Sequence, residues 1–274
     1  MTYKMICLDI DGTLLNSDLE ISPETKKAIS SLPEGFPVIL VSARMPKGMT
    51  FLQKELEIEM PMICYSGGLV IDPADDGSYE TLLNKTMEID HVKEVYEQGK
   101  KTNLHISFYK DDNWFVEKVD EWAAHERDTT KTKPDVASYD SLFEEWENAG
   151  TSANKIICIG DREEIEEFEK KLKQQFSEEL TIYRSKANYL EIMDSSVSKT
   201  EAIKFLRKKF NAEQSEIIAI GDNFNDADMI EYAGLGAAME NSPDEVKQTA
   251  DEVTASNDKN GVGKIVEKYL LGVK

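Results

Sequence analysis

An apolar strand that runs directly into two closely spaced acids is the feature that most constrains this chain. The apolar residues Met5–Leu8 are followed by Asp9-Ile10-Asp11-Gly12-Thr13. Side chains alternate along a strand, so Asp9 and Asp11 are expected on one face, where two carboxylates repel unless a cation or proton lies between them. The carboxyl end of a strand in an open α/β sheet is where ligands bind, which predicts a site for Mg2+ and phosphate with a nucleophilic aspartate. The competing interpretation is a surface turn, because Asp-Gly is a common turn pair.

The composition predicts a folded and strongly acidic protein. Hydrophobic residues make up 40% of the 274 residues, which suffices for a packed core in one large or two modest domains. The 53 acidic residues outnumber the 32 Lys and Arg residues, so the formal net charge is -21. Such a surface repels nucleic acids and anionic membranes, and we expect neither as a partner. A phosphate-bearing substrate is repelled as well, so a site for one must hold cations.

The sequence carries no signal for a membrane or for export. Its apolar stretches fall short of the ~20 residues that a membrane-spanning helix needs. Its first residues lack the basic segment and apolar core of a signal peptide, so we expect a cytoplasmic protein. Cys7, Cys64 and Cys158 each lie inside an apolar run, which favours buried thiols over disulfides or zinc ligands.

Continuous apolar strands alternate with helices at both ends of the chain. Strands are predicted over Lys4–Leu8, Phe36–Val41 and Pro61–Tyr65, and the alternation returns after Ser198. Apolar strands separated by helices are typical of a parallel sheet that is covered on both faces. The predicted fold class is therefore α/β, with a Rossmann-like, three-layer α/β/α core.

The middle of the chain has a different character. It is rich in charge, its strands alternate or are β-branched, and it carries Trp114, Trp122 and Trp146. We interpret it as an inserted α+β cap domain over residues 85–187, joined by two connections to a discontinuous core of residues 1–84 and 188–274. Each tryptophan is expected to pack in a core rather than to line a pocket.

Two short segments beside the predicted core strands and helices suit a bound anion. Ser42-Ala43-Arg44 follows the second strand, where a hydroxyl and backbone N–H groups near a helix start can hold a phosphate oxygen; a serine helix cap is the alternative. Lys199 follows Ser198 in the first turn of a helix, where a cation opposes the helix dipole. An anion at that position would resolve the conflict, although most lysines are simply solvated.

A second acidic strand end lies near the C-terminus. The apolar run Ile217–Ile220 is followed by Gly221-Asp222-Asn223-Phe224-Asn225-Asp226. Oxygen ligands of this kind suit Mg2+, which takes few carboxylates and keeps several waters. This concentration of acids beside a buried strand is more than a plain loop requires, so the segment is predicted to complete the site.

Taken in order, these segments resemble the haloacid dehalogenase-like hydrolase superfamily, whose members are mostly phosphatases. The chain has Asp-x-Asp-Gly-Thr at Asp9–Thr13, then Ser42, then Lys199, then Gly-Asp-x-x-x-Asp at Gly221–Asp226. The insert is similar to the cap of the Cof-type branch, a C2-type cap of subtype B. The resemblance covers essentially the whole chain, with Ala43 in place of a common glycine and Ser66-Gly67-Gly68 in place of a common Asn-Gly.

The resemblance implies a role for each matching residue. Asp9 is the expected nucleophile, which forms an aspartyl-phosphate, and Asp11 is the expected general acid and base. Mg2+ is expected on the Asp9 carboxylate, the Asp11 carbonyl oxygen and Asp222, with Asp226 in support. The metal would remove the repulsion between a carboxylate and a phosphate dianion, and Lys199 would neutralise the remaining charge.

The phosphoryl oxygens are expected to bind a set of small and polar groups, namely Gly12, Ser42, the Ala43 N–H, Lys199 and Asn225. These expectations make a Mg2+-dependent phosphatase the leading hypothesis, acting on a small phosphate ester as a monomer or weak homo-oligomer. A phosphomutase of the same superfamily is the alternative among enzymes. A non-catalytic regulatory protein that binds a phosphorylated ligand is the alternative from another class.

Overall fold

The computed structural model describes residues 3–74, 76–130 and 132–273. Its strands are β1 (Met5–Asp9), β2 (Val38–Val41), β3 (Met62–Cys64), β4 (Leu69–Pro73), β5 (Tyr79–Asn84), β6 (His105–Lys110), β7 (Asn113–Val116), β8 (Asp135–Val136), β9 (Lys155–Ile159), β10 (Leu180–Lys186), β11 (Tyr189–Asp194), β12 (Ile217–Gly221), β13 (Leu235–Ala238) and β14 (Glu252–Val253). Its α-helices are α1 (Pro23–Ser30), α2 (Thr50–Leu56), α3 (Ile89–Gly99), α4 (Glu121–Thr130), α5 (Tyr139–Asn148), α6 (Arg162–Gln175), α7 (Lys199–Leu206), α8 (Ala227–Tyr232), α9 (Asp244–Lys247) and α10 (Gly261–Val266).

An eight-stranded sheet forms the first of two compact units. Its strand order is β14-β13-β12-β1-β2-β3-β4-β5, and the pairs from β14 to β3 are parallel. All five residues of β1 are buried between β12 and β2. The predicted α/β class with a parallel core is confirmed. The sequence did not indicate that β4 pairs antiparallel with β3, because a short strand with few polar residues has the same pattern in either direction.

A six-stranded sheet forms the second unit, with the order β10-β11-β9-β6-β7-β8. One face of this sheet packs in an apolar cluster that includes Phe108, Cys158 and Leu190 together with side chains of helices α3, α5 and α6. Trp114 and Trp146 are buried, as predicted, whereas Trp122 is partly exposed. The mixed strands and helices agree with the α+β character expected from the sequence.

A chain of buried, hydrogen-bonded polar side chains lies on the opposite face of the same sheet. His105 Nδ1 lies 2.8 Å from Asp120 Oδ2, and His105 Nε2 lies 2.7 Å from Ser107 Oγ. Ser107 Oγ also accepts from the indole N–H of Trp114 at 2.9 Å. Ser107 is 1% exposed, so this Ser-His-Asp series is a set of satisfied core hydrogen bonds rather than a nucleophile open to substrate.

The boundaries of the two units differ from the predicted ones by two residues at the start of the second unit and by more at two other places. The first unit comprises Met1–Arg44, Met49–Leu82 and Ser198–Lys274, and the second comprises Met45–Gly48 and Leu83–Val197. The predicted return to the core at residue 188 comes too early, because β11 pairs with β9 and β10 and so continues the second sheet. The short segment Met45–Gly48 adds a connection that the sequence did not predict.

Two smaller expectations concern thiols and membranes. Cys7, Cys64 and Cys158 are free and buried, as their apolar surroundings predicted. Within the three described stretches, every helix is too short or too polar to cross a membrane.

Candidate active site

The first unit brings three strand ends together around Asp9. Asp9 is the last residue of β1 and is 6% exposed. Since β1 lies between β2 and β12, the turns that follow these three parallel strands share one edge of the sheet. Strand β2, which follows β1 in the chain, lies on one side of β1, and β12 lies on the other side. In an open α/β sheet, a ligand crevice forms where the strand order reverses in this way.

A buried lysine joins two aspartates at this edge. Lys199 Nζ lies 2.5 Å from Oδ1 of Asp9 and 2.5 Å from Oδ1 of Asp226. Lys199 is 3% exposed and opens helix α7, whose N-cap Ser198 accepts from the Glu201 N–H. The sequence predicted that an anion would balance a lysine in this first turn. In the structure the two aspartate carboxylates supply that negative charge.

Asp226 organises the turn after β12 with its second oxygen. Oδ2 of Asp226 accepts from the backbone N–H groups of Asp222 and Asn223, both at 3.0 Å. A Cβ on Gly221 would overlap the Asp226 side chain, so this position requires glycine. Asp226 has no exposure to solvent and uses both oxygens within the protein. Its contacts therefore suit a supporting role more than direct access to a substrate.

The turn after β1 is shaped to receive Asp222. Thr13 Oγ1 donates to Asp222 Oδ1 at 3.0 Å. Gly12 has a φ of 83°, and a Cβ there would overlap the Asp222 carboxylate. Thr13 was not among the predicted site residues, although its place in Asp-x-Asp-Gly-Thr was the available signal. The turn thus orients Asp222 with both a hydroxyl donor and the space that glycine leaves.

Two asparagines hold the same turn from the far end of the chain. Asn241 Nδ2 donates to the carbonyl oxygen of Gly12 at 2.9 Å. The backbone N–H of Asn257 donates to Asn241 Oδ1 at 3.1 Å, and Asn257 Nδ2 donates to the carbonyl of Leu15 at 2.9 Å. Asn241 and Gly12 are 229 residues apart, so no local pattern in the sequence indicates this contact.

The electrostatics of the cluster favour a bound cation. Burial, followed by the Asp226 charge, raises the pKa of Asp9 well above its usual range, although Lys199 acts in the opposite direction. Burial and Asp226 also raise the pKa of Asp222 to about 6, while the Thr13 hydrogen bond lowers it. Burial lowers the pKa of Lys199, but Asp226 and Asp9 more than offset this, so the Lys199 ammonium stays charged.

Three carboxylates face a single ammonium here, and the excess negative charge fits a metal. Ligand oxygens of Asp9, Asp222 and Asp226 all lie within 4.8 Å of one another. Mg2+ prefers such hard oxygen ligands, and a divalent cation would balance the charge that Lys199 leaves over. The donor set therefore fits the predicted metal, which Asp9 and Asp222 could hold.

Asp11 lies outside this buried cluster. Strand β1 ends at Asp9, so Asp11 stands in the following turn, and the expectation that both acids share a strand face is wrong. The Asp11 side chain is 53% exposed and makes a two-pronged ion pair with Arg44: Nε to Oδ2 at 2.9 Å and Nη2 to Oδ1 at 2.5 Å. The positive φ of Gly12 turns the chain immediately after Asp11.

The segment after β2 is held by the neighbouring strand. Ser42 is buried, its N–H donates to the Ile63 carbonyl at 2.9 Å, and its Oγ accepts from the Arg44 N–H at 3.2 Å. Helix α2 begins only at Thr50, so Ser42 stabilises a local turn and does not cap a helix. Ala43 is partly exposed beside it. Asn225 is exposed in a single 3-10 turn over Phe224–Asp226.

A strained turn after β3 contacts both segments that the sequence predicts to bind an anion. Tyr65 and Ser66 have φ of 50° and 53°, values that cost non-glycine residues about 1–3 kcal/mol each. The Tyr65 N–H donates to the Arg44 carbonyl at 3.1 Å. A Cβ on Gly67, whose φ is 107°, would overlap the carbonyl of Ser198. Gly67 therefore allows the turn to pack directly on the start of helix α7.

The comparisons with known proteins agree with this geometry. The family described as haloacid dehalogenase-like hydrolase matches residues 6–266. A Haemophilus influenzae protein named "Putative phosphatase" is 37% identical over 270 residues, which cover 98% of each chain. The 5-amino-6-(5-phospho-D-ribitylamino)uracil phosphatase YitU of Bacillus subtilis is 28% identical, and the aligned residues cover 97% of each chain.

A solved structure shares the whole fold. TM0651 from Thermotoga maritima superposes with a TM-score of 0.86 at 31% sequence identity, covering 97% of each chain. The family match, the full-length relatives and the fold all point to the same group. The chain belongs to the haloacid dehalogenase-like hydrolase family.

Proposed function

We propose that this phosphatase hydrolyses small phosphate monoesters, such as sugar phosphates, with Mg2+ and through an aspartyl-phosphate on Asp9. The observation that carries the proposal is the Lys199 ammonium, which lies 2.5 Å from a buried strand-end carboxylate among three acids. A carboxylate that only stabilised the fold would not require two further acids around the same lysine, because their mutual repulsion opposes folding.

In the first step, one oxygen of Asp9 attacks the phosphorus atom of the ester. The phosphorus–oxygen bond to the alcohol breaks as an acyl-phosphate bond to Asp9 forms, and Asp11 gives a proton to the departing alkoxide. Lys199 remains beside Asp9 and offsets negative charge on the phosphoryl group. When bound on Asp9 and Asp222, Mg2+ would supply further charge neutralisation and hold the ester in line with the nucleophile.

In the second step, Asp11 takes a proton from water, and the resulting hydroxide attacks the same phosphorus atom. The bond between Asp9 and phosphorus breaks, which releases inorganic phosphate and restores the Asp9 carboxylate. Asp11 ends this step protonated and ready to act as the acid again, so protons balance over the cycle. The exposure of Asp11 beside a buried Asp9 suits this division of labour, since only Asp11 must exchange protons with bulk water.

Phosphoryl oxygens are proposed to bind at the ends of β1, β2 and β12 and at the start of α7, through Gly12, Ser42, the Ala43 N–H, Lys199 and Asn225. Asp226 is proposed to support the metal indirectly, through its ion pair with Lys199 and its hydrogen bonds to the turn that carries Asp222. The carbonyl oxygen of Asp11 stays the third proposed metal ligand.

These residues constrain the alcohol part of the substrate less than its phosphoryl group. The name of the YitU relative suggests a phosphorylated polyol among the candidates.

A panel of phosphate esters tests the proposal. Phosphate release with Mg2+ is measured for sugar phosphates, pyridoxal phosphate and the phosphorylated ribitylaminouracil that YitU's name specifies, with loss of the ester and any isomer followed by chromatography. Release of phosphate from at least one ester supports a phosphatase. An isomerised phosphate ester would instead indicate a mutase, and saturable binding without turnover of any ester would indicate a regulatory protein.

A further inference from the structure

The ion pair between Arg44 and Asp11 has a two-point geometry that suits holding the Asp11 carboxylate in one orientation. Nε and Nη2 of Arg44 each meet a different oxygen of Asp11, at 2.9 and 2.5 Å. Exposed ion pairs usually contribute little to stability, and these side chains are 28% and 53% exposed. A two-pronged arginine–carboxylate pair nevertheless fixes the plane and direction of the carboxylate, which a lysine or a single hydrogen bond does not.

The backbone that delivers the guanidinium is itself held on both sides. The Arg44 N–H donates to Ser42 Oγ at 3.2 Å, and its carbonyl accepts from Tyr65 N–H at 3.1 Å. Tyr65 is one of the two strained residues after β3, and such strain persists only where surrounding contacts impose it. The contacts around Arg44 thus place its side chain at a defined point beside the turn after β1.

The pairing leaves Asp11 able to move a proton. A carboxylate offers about four lone-pair positions, and the arginine fork occupies one on each oxygen. The remaining positions can face an alcohol oxygen or a water. Without the fork, a half-exposed aspartate immediately before a glycine turn would sample several rotamers, and misplacing a catalytic group by about 1 Å can cost about 100-fold in rate.

We propose that Arg44 is a positioning residue, which holds the Asp11 carboxylate in the orientation needed for proton transfer to the leaving alcohol and from water. This inference rests on the proposed function, in which Asp11 is the acid and base. Arg44 acts through Asp11 and is not required to touch the reacting phosphoryl group. Its loss therefore damages those steps that need Asp11 and spares attack by Asp9 on an ester whose leaving group needs no proton.

Two substrates separate these steps. p-Nitrophenyl phosphate releases a stable anion, so its pre-steady-state burst of nitrophenol reports attack by Asp9 alone. The best alkyl ester from the panel needs a proton for its alkoxide. For Arg44→Gln we expect kcat for the alkyl ester to fall by about 10- to 100-fold with KM changed by less than about 3-fold. The burst rate with p-nitrophenyl phosphate should stay within about 3-fold of wild type, while the later steady-state rate falls.

A double-variant cycle tests whether the effect passes through Asp11. Asp11→Asn alone should show the same substrate pattern, and adding Arg44→Gln to it should cause no further loss in alkyl-ester turnover. Arg44→Lys keeps the charge without the fork and should recover only part of the rate. Arg162→Gln, which removes an exposed arginine from a helical pair with Glu166, is the matched control and should behave as wild type.

The outcomes distinguish this inference from the proposed function. Equal losses in the burst and in alkyl-ester turnover, or additive losses in the double variant, would mean that Arg44 acts on substrate or fold directly, and would overturn the inference. Full alkyl-ester activity in Arg44→Gln would overturn it too, with the phosphatase proposal intact. Absence of phosphate release by the wild-type protein with every ester would remove the proposed function and this inference with it.

Discussion

Asp226 is fully buried and lies 2.5 Å from the Lys199 ammonium, so one internal ion pair links the start of helix α7 to the turn after β12. Asp226 also accepts the backbone N–H groups of Asp222 and Asn223 on its other oxygen. Asp226 therefore maintains the shape of the site as well as its charge, since its loss would leave the Asp222 and Asn223 N–H groups without this acceptor.

Replacing Asp226 should destabilise the protein strongly. Asp226→Ala strands two backbone donors and removes one of two carboxylates from Lys199, and we expect the free energy of unfolding to fall by about 2–5 kcal/mol. Denaturant unfolding measures this change. Asp228→Ala, two residues further along at an exposed position of α8, is the control and should change it by less than about 0.5 kcal/mol. Equal effects of the two substitutions would contradict the role assigned to Asp226.

Removing the proposed nucleophile should abolish turnover without unfolding the protein. Asp9→Asn keeps the shape of the side chain and an oxygen near Lys199 but lacks the charge needed to attack phosphorus. We expect phosphate release to fall by at least about 1000-fold, with an unchanged circular dichroism spectrum. Turnover close to wild type in this variant would exclude Asp9 as the nucleophile.

Chelation should inactivate the enzyme reversibly. The three carboxylates at the site outnumber the lysine beside them, so we expect that a divalent cation must bind before a phosphate dianion can bind beside Asp9. EDTA is expected to remove phosphatase activity and added Mg2+ to restore it. Asp222→Asn should raise the Mg2+ concentration that gives half-maximal activity by about 10-fold or more. Undiminished activity in metal-free buffer is the result that would contradict a metal role.

The pH dependence of metal-free stability should report on Asp222. Its pKa is raised from 3.8 to about 6 in the folded protein, so the folded state binds this proton more tightly than the unfolded state. Ionisation of Asp222 therefore opposes folding above about pH 6, and that opposition disappears as the pH falls below about 4.

In EDTA at pH 7.5, Asp222→Asn should melt about 2–5 °C above wild type, because the amide carries no charge and can still accept from Thr13. The difference should shrink as the pH is lowered to 4.5. Saturating Mg2+ at pH 7.5 should reverse its sign, since the cation binds the wild-type carboxylate better. A melting difference that is the same at both pH values would show that the Asp222 charge is not the cause.

Gly67 should tolerate no side chain. Gly67→Ala places a Cβ against the Ser198 carbonyl at the start of helix α7, in addition to the cost of a positive φ. We expect a loss of about 3 kcal/mol or more in unfolding free energy and a fall in kcat, because Lys199 follows Ser198 directly. Gly35→Ala is the matched control: its φ of 75° is also positive but open space surrounds it, so about 1 kcal/mol is expected. Similar losses at the two glycines would contradict the close packing at Ser198.

Local sequence carried much of the fold and the core of the site. The apolar strands before Asp9 and Gly221 predicted a parallel sheet, and in such a sheet the acids at these strand ends must meet at one edge. The start of helix α7 could also be predicted from the sequence, because Ser198 caps this helix as expected. The end of the second domain was misplaced because β11 is a buried strand whose partner, β9 or β1, cannot be told from its own residues.

The order of residues specifies which chemical groups stand at the strand ends, because apolar runs, caps and glycine turns are formed by neighbouring residues. The way in which those groups pair depends instead on the folded arrangement of the chain. Asp11 pairs with Arg44 outside the buried cluster, while Asp222 is set by Thr13 from 209 residues away. Such contacts depend on the register of strands β12, β1 and β2 and on the path of the turns after them. The sequence pattern alone does not show the strand register or the path of the turns, because packing across the whole sheet determines both.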